Sequence, residues 1–145
     1  MCGFGPAGIF AAYILALNGQ NPIVLERGEK IEDTYEIFLF KKGNKFKVEL
    51  DVTNISNIDG KEVVQLYISE LIPNVYRPVR ELKAFEKVFV KANETKHVTF
   101  ILDKKAFEYY STSYDKWVVN NGLFEVQIGK NVSDIVLVEQ IEVNY

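Results

Sequence analysis

The chain has few of the side chains that most enzymes use for covalent and metal chemistry. It contains one cysteine, Cys2, and one histidine, His97, among 145 residues. A single cysteine excludes a disulfide framework and a zinc site built from thiolates, and a single histidine excludes most nucleophile–histidine pairs. The sequence therefore points away from a self-contained hydrolase, and we assign neither residue a functional role.

The chain also lacks an excess of positive charge. Lys and Arg number 17 against 20 Asp and Glu, for a net charge of −3. This balance argues against a strongly basic nucleic-acid binder. The apolar run at residues 7–17 is too short to span a membrane and lacks the basic segment that begins a signal peptide. We therefore expect a cytoplasmic protein with no nucleic-acid or membrane partner.

The first 30 residues differ in pattern from the rest of the chain. An alanine-rich apolar run predicts a helix over about residues 6–18, which begins at Pro6 and ends at Asn18-Gly19. Residues 22–26, Pro-Ile-Val-Leu-Glu, predict a short strand. We therefore divide the chain into two parts, residues 1–30 and residues 31–145.

A glycine motif opens the first part. Gly3, Gly5 and Gly8 have the spacing GxGxxG, and Glu26 ends the strand that follows the helix. Residues 2–29 resemble the start of an FAD-dependent oxidoreductase of the Rossmann type. The resemblance implies that the three glycines would flank the FAD pyrophosphate and that Glu26 would bind the adenosine ribose. The strand before the motif and the sheet after Gly28 are missing, so we expect a truncated remnant that binds no FAD and was joined to an unrelated gene fragment.

The second part has the period-two pattern of β-strands. Phe46, Val48, Leu50 and Val52 alternate with charged residues, which indicates a strand with one buried face. The segment from Lys104 to Phe107 forms at most one turn of helix. Residues 71–80 contain two prolines and predict a loop or a crossing between sheets. After this loop we expect three side chains to rejoin the core: Phe85, Val88 and Val90.

Several stretches of the second part carry a family pattern, in the family's order and at near-family spacing. They are Val52-Thr-Asn54, residues 60–69, residues 77–85, residues 98–103, Lys116-Trp-Val-Val119, residues 122–126 and Ile128-Gly129. From residue 45 to residue 143 the sequence closely resembles the fibronectin type III-like domain at the carboxyl end of glycoside hydrolase family 3 enzymes, the β-glucosidases and their relatives.

This resemblance implies a mainly β fold, an immunoglobulin-like or fibronectin type III-like β-sandwich of about seven strands. It also implies that the catalytic nucleophile and general acid belong to other domains. We therefore expect no catalytic residue, no metal site and no enzymatic activity in this chain alone. The implied role is that of an accessory module that packs on and stabilises the catalytic domains of a family 3 glycosidase.

One candidate partner contact lies in the proline-containing loop. Arg77 and Arg80 flank Pro78, and Glu81 follows. Arginine side chains can bind carboxylates or carbonyls across an interface. The alternative is that both arginines bind carbonyls of their own chain and pair with Glu81.

A second candidate site is a dense group of aromatic residues. It comprises Phe107, Tyr109, Tyr110, Tyr114 and Trp117. As exposed rings, the three tyrosines and Trp117 would stack on sugars, which would make the domain a carbohydrate-binding module. We favour the other interpretation, in which Phe107 and Trp117 pack into the core and leave tyrosine hydroxyls at its rim.

Overall fold

The computed structural model describes residues 33–43 and 45–145. The predicted helix over residues 6–18, the predicted strand over residues 22–26 and the FAD-like motif lie outside the described residues. Those interpretations, and the domain boundary near residue 30, stay predictions.

The described residues form nine β-strands and one short helical turn, which confirms the predicted mainly β fold. The strands are β1 Asp33–Lys42, β2 Lys45–Asn54, β3 Gly60–Glu70, β4 Glu81–Val90, β5 Thr95–Leu102, β6 Tyr109–Ser111, β7 Lys116–Val118, β8 Gly122–Asn131 and β9 Asp134–Val143. A single 3₁₀ turn, Lys104–Ala106, lies between β5 and β6, as the sequence predicted. No helix in the described part of the chain is long and apolar enough to cross a membrane.

Seven of the strands form the two sheets of a sandwich. One sheet has the order β1-β2-β5 and the other has the order β4-β3-β8-β9, and all neighbours are antiparallel. The remaining strands, β6 and β7, pair only with each other and form a ribbon separate from both sheets. The predicted sandwich of about seven strands is therefore confirmed, with an added ribbon that the sequence did not reveal.

The core lies between the two sheets. Alternate residues of β2 and β3 are fully buried, among them Val48, Leu50, Val64 and Leu66. Phe107 closes one end of the core, and its ring meets those of Phe46 and Phe124 edge to face at 5.6 and 5.3 Å. Such pairs stabilise a core beyond the area that they bury, so Phe107 fixes the segment that leads into the ribbon.

The segment between β3 and β4 is a loop. Because these strands are neighbours in one sheet, the chain returns to the same sheet, and the alternative of a sheet crossing is wrong. Val88 and Val90 rejoin the core as predicted, but Phe85 is 68% exposed. Phe85 is an odd number of positions from both valines along β4, so its side chain points to the opposite face of the sheet.

Candidate functional site

The 71–80 loop and the β6–β7 ribbon face each other across a groove of about 360 Å³. The groove brings together residues from the two candidate sites, which the sequence had suggested separately. Its lining residues are Val75, Tyr76, Arg77, Pro78, Glu81, Glu108, Tyr109, Tyr110 and Trp117. The structure therefore joins three of the four predicted partner-contact residues and three of the five predicted aromatic residues in one place.

Arg77 forms the floor of the groove, and its side chain is only 7% exposed. Its guanidinium forms ion pairs with Glu70 and Glu81, each with a shortest N–O distance of 2.8 Å. It also donates a hydrogen bond of 3.4 Å to the carbonyl of Phe107. The arginine thus bonds to strand β3, strand β4 and the segment that precedes the ribbon, and its charge is matched inside the chain.

The carboxylate of Glu81 is held in its ionised form. Burial by itself would raise the pKa of Glu81, but hydrogen bonds and charges from Lys83 and Arg77 outweigh it and lower that pKa below its usual value. The Nζ atom of Lys83 lies 2.7 Å from Glu81 Oε2. Glu81 is therefore a stable anion between two cations rather than a group poised to exchange protons.

The polar network continues from Glu70 to the ribbon. Asn120 donates a hydrogen bond of 2.8 Å to Glu70 Oε1, and the hydroxyl of Tyr109 donates one of 3.3 Å to Asn120 Oδ1. The ring of Tyr109 also lies against the guanidinium of Arg77, with 5.4 Å between the guanidinium carbon and the ring centroid. The sequence did not indicate Glu70 or Asn120 as site residues, because the hydrogen bond between them joins positions that are distant in the chain.

Of the remaining residues of the predicted partner contact, Arg80 is half-buried and Pro78 lies at the surface. Arg80 donates a hydrogen bond of 2.9 Å to the carbonyl of Val132, and Pro78 is exposed. Arg77 and Glu81 are paired with each other, as the local interpretation of the loop expected. Whether Arg77, Pro78, Arg80 and Glu81 also meet a partner stays a prediction.

The aromatic residues divide between the core and the surface. Phe107 is fully buried as favoured, but Trp117 is 62% exposed, so the expectation that it packs inward is wrong. Trp117 lies directly opposite Tyr110 in the ribbon, and their rings meet edge to face with centroids 5.6 Å apart. Both rings are exposed, Tyr110 by 47% and Trp117 by 62%.

Tyr110 is bonded to Asp115, which lies in the turn between β6 and β7. Its hydroxyl donates a hydrogen bond to the carboxylate of Asp115, and this bond, followed by partial burial, raises the pKa of Tyr110. Tyr114 is exposed beside it, with Lys116 Nζ 5.9 Å from its ring centroid. Within residues 33–43 and 45–145, no three His, Cys, Asp or Glu side chains form a group that could hold a metal ion.

Comparison with known proteins finds similar domains in several glycosidases. The model of the fibronectin type III-like domain family matches residues 62–132. Thermostable β-glucosidase B of Acetivibrio thermocellus is 48% identical over 97 residues, which is 67% of this chain and 13% of that enzyme. The chain therefore spans about one eighth of the length of this relative.

Solved structures agree with the sequence match. The crystal structure of a β-glucosidase from Kluyveromyces marxianus in complex with glucose superposes with a TM-score of 0.77 at 32% identity, over 93% of this chain and 17% of that one. The family 3 β-glucosidase of Bifidobacterium adolescentis gives a TM-score of 0.72 at 37% identity, over 77% and 17% of the two chains. The described part of the chain thus carries a fibronectin type III-like domain of the kind found in β-glucosidases of glycoside hydrolase family 3.

Proposed function

We propose that this chain is a non-catalytic accessory module that packs on and stabilises the catalytic domains of a family 3 glycoside hydrolase. The observation that carries the proposal is an apolar surface on the 71–80 loop, which we call the loop patch. It consists of Ile72, Val75, Tyr76 and Val79, all of which are exposed. A group of exposed apolar side chains on one loop is typical of a protein contact site.

The loop that carries the loop patch is held in place by several hydrogen bonds, although the side chains of the patch are exposed. Arg77, in the middle of the loop, is bonded to Glu70, Glu81 and Phe107. The hydroxyl of Ser69 also donates a hydrogen bond of 2.6 Å to the carbonyl of Val79. A loop that is held in one conformation before it binds loses less entropy on binding, which favours a stable contact.

The relatives support an accessory role because the match covers a small share of each. The chain aligns with 13% of the Acetivibrio enzyme and 17% of the Kluyveromyces structure. A retaining glycosidase needs two carboxyl groups about 5 Å apart on either side of the scissile bond. Glu70 and Glu81 instead bind one guanidinium between them, so we propose that the chain alone cleaves no glycoside.

Binding in trans tests this function. The catalytic domains of the Acetivibrio β-glucosidase would be produced without their fibronectin type III-like segment and mixed with this chain. We expect co-elution as a complex on size-exclusion chromatography, and no turnover of a chromogenic β-glucoside by the chain alone. Separate elution at high concentration would contradict the packing role, and turnover that follows the purified chain would contradict the non-catalytic role.

A further inference from the structure

We propose that the groove between the 71–80 loop and the β6–β7 ribbon binds a neutral carbohydrate, with a pyranose ring of a β-linked glucan stacked against Trp117. The groove shares Val75 and Tyr76 with the loop patch, so the site is tested on this chain alone, where no catalytic domain covers those residues. Trp117 is 62% exposed and lines the groove, whereas the favoured interpretation of the sequence placed it in the core.

Three aromatic side chains line the groove and remain exposed. Tyr76 is fully exposed on the loop side, while Trp117 and Tyr110 are more than 45% exposed on the ribbon side. Large aromatic side chains that stay in water beside polar groups are typical of ligand grooves. In β-glucopyranose every hydroxyl is equatorial, so both faces of the ring carry axial C–H groups that pack well against an aromatic ring.

The charges of the groove favour a ligand without formal charge. The charged residues that line the groove are Arg77, Glu81 and Glu108. The guanidinium of Arg77 is matched by Glu81 and by the neighbouring Glu70, and the carboxylate of Glu108 lies 3.8 Å from the ammonium of Lys104. A phosphate or other anion would have to compete with these carboxylates for the cations. Hydroxyl groups instead can donate to carboxylate oxygens without breaking an ion pair, so a polyhydroxylated neutral ligand fits this surface.

The walls are held in place before any ligand arrives. Arg77 ties the loop to the Phe107 carbonyl that leads into the ribbon, and Tyr109 packs against its guanidinium. The ring of Trp117 rests on that of Tyr110, whose hydroxyl is bonded to Asp115. The volume of about 360 Å³ lies in the range of sites for small ligands. A preformed site of this size binds a short oligosaccharide with little reorganisation.

Tryptophan fluorescence tests the proposal directly, because Trp117 is the only tryptophan of the chain. The full chain would be titrated with cellotetraose, and the emission of Trp117 would report stacking. We expect a saturable change in emission, with a dissociation constant in the range of about 0.1–1 mM. No saturable change up to about 10 mM cellotetraose would overturn the proposal.

Variants locate the binding site. We expect Tyr76→Ala and Tyr110→Ala each to weaken cellotetraose binding about tenfold, since each removes one wall of the groove. Phe85→Ala is the matched control, because Phe85 is an aromatic residue on β4 that is about as exposed as Trp117 and does not line the groove. Trp117→Ala removes the fluorescent reporter, so its binding of cellotetraose would be measured by calorimetry, and we expect that binding to be lost. Unchanged affinity in the three groove variants, or equal loss in Phe85→Ala, would overturn the proposal.

Discussion

Arg77 and Glu70 form an ion pair of 2.8 Å between side chains that are 7% and 5% exposed. The pair joins the loop between β3 and β4 to the last residue of β3. Through Asn120, which donates to the other oxygen of Glu70, it also reaches the segment that follows the ribbon. One buried contact thus sets the distance between the two walls of the groove.

Removal of Arg77 should therefore destabilise the domain strongly. Arg77→Met leaves the buried carboxylate of Glu70 without its cation, which typically costs about 3–5 kcal/mol. We expect that loss in the free energy of unfolding measured with urea. Arg80→Met is the control: it removes one surface hydrogen bond to Val132 and should cost less than about 1 kcal/mol. Equal losses in the two variants would contradict a structural role for the buried pair.

Asn54 is a second buried polar group whose bonds are all made within the domain. Its amide nitrogen donates to the carbonyls of Ile58 and Val90 at 2.8 and 3.1 Å, and its oxygen accepts from Ser56. Asn54→Ala should lower the free energy of unfolding by about 2–3 kcal/mol, because it leaves these groups unpaired. Asn57→Ala, at an exposed position of the loop that follows β2, should change the free energy of unfolding by less than about 0.5 kcal/mol. Thermal and urea unfolding of the two variants would test the difference.

His97 should make the stability depend on pH. Its Nδ1 lies 2.6 Å from Asp51 Oδ1 and its Nε2 lies 3.4 Å from Glu49 Oε1. The hydrogen bond to Asp51, and then the one to Glu49, raise the pKa of His97 above 6.5. The folded state therefore holds the proton more tightly than the unfolded state, and the stabilisation is complete below pH 6.5 and is lost as the pH rises through the folded-state pKa.

The urea midpoint measured from about pH 6 to pH 9 tests this effect. We expect the midpoint to fall as the pH rises through this range in the natural chain. His97→Gln should remove the fall, since His97 is the only histidine. The carboxylates with lowered pKa values, Glu49, Glu81 and Glu94, titrate at lower pH and leave this range unaffected. A midpoint that rises with pH would contradict the assignment.

Gly129 lies where strands β8 and β9 shift in register, and its backbone is closely surrounded. A Cβ atom there would lie 2.8 Å from the carbonyl oxygen of Asp134 and 2.9 Å from that of Asn131. Gly129→Asn should therefore cost about 2–3 kcal/mol of unfolding free energy. Gly43→Asn is the control, because Gly43 has a φ of +59° and open space, which asparagine accepts with little strain. Equal stability of the two variants would refute the close packing at Gly129.

The alternation of apolar residues predicted the sandwich because each main strand buries one face. Val64, Leu66 and Ile68 share a parity and are buried, as that pattern requires. The same rule, applied strictly, would have placed Phe85 at the surface, since its parity differs from that of Val88 and Val90. Phe85 was predicted to be buried because its side chain is apolar, although its position along β4 indicated the opposite face.

The groove could not be predicted in the same way. The ribbon strands are three residues long, and alternation within them says nothing about which face a distant element covers. Trp117 is exposed because the ribbon stands apart from both sheets, which is a property of the whole fold. Asn120 and Glu70 are 50 positions apart in sequence, so their contact is likewise set by tertiary structure. The sequence did identify Arg77 and Glu81, but as residues of one loop that contact a partner or each other, and it did not indicate their link to Glu70 and Asn120.

We propose that the loop patch binds and stabilises the catalytic domains of a family 3 glycoside hydrolase. The most direct measurement is the half-life, at elevated temperature, of Acetivibrio β-glucosidase catalytic domains that lack their own fibronectin type III-like segment. We predict that this chain lengthens the half-life, that Ile72→Asp combined with Val79→Asp abolishes the effect, and that Phe85→Asp preserves it. An unchanged half-life with the natural chain, or full protection by the doubly substituted loop, would contradict the claim.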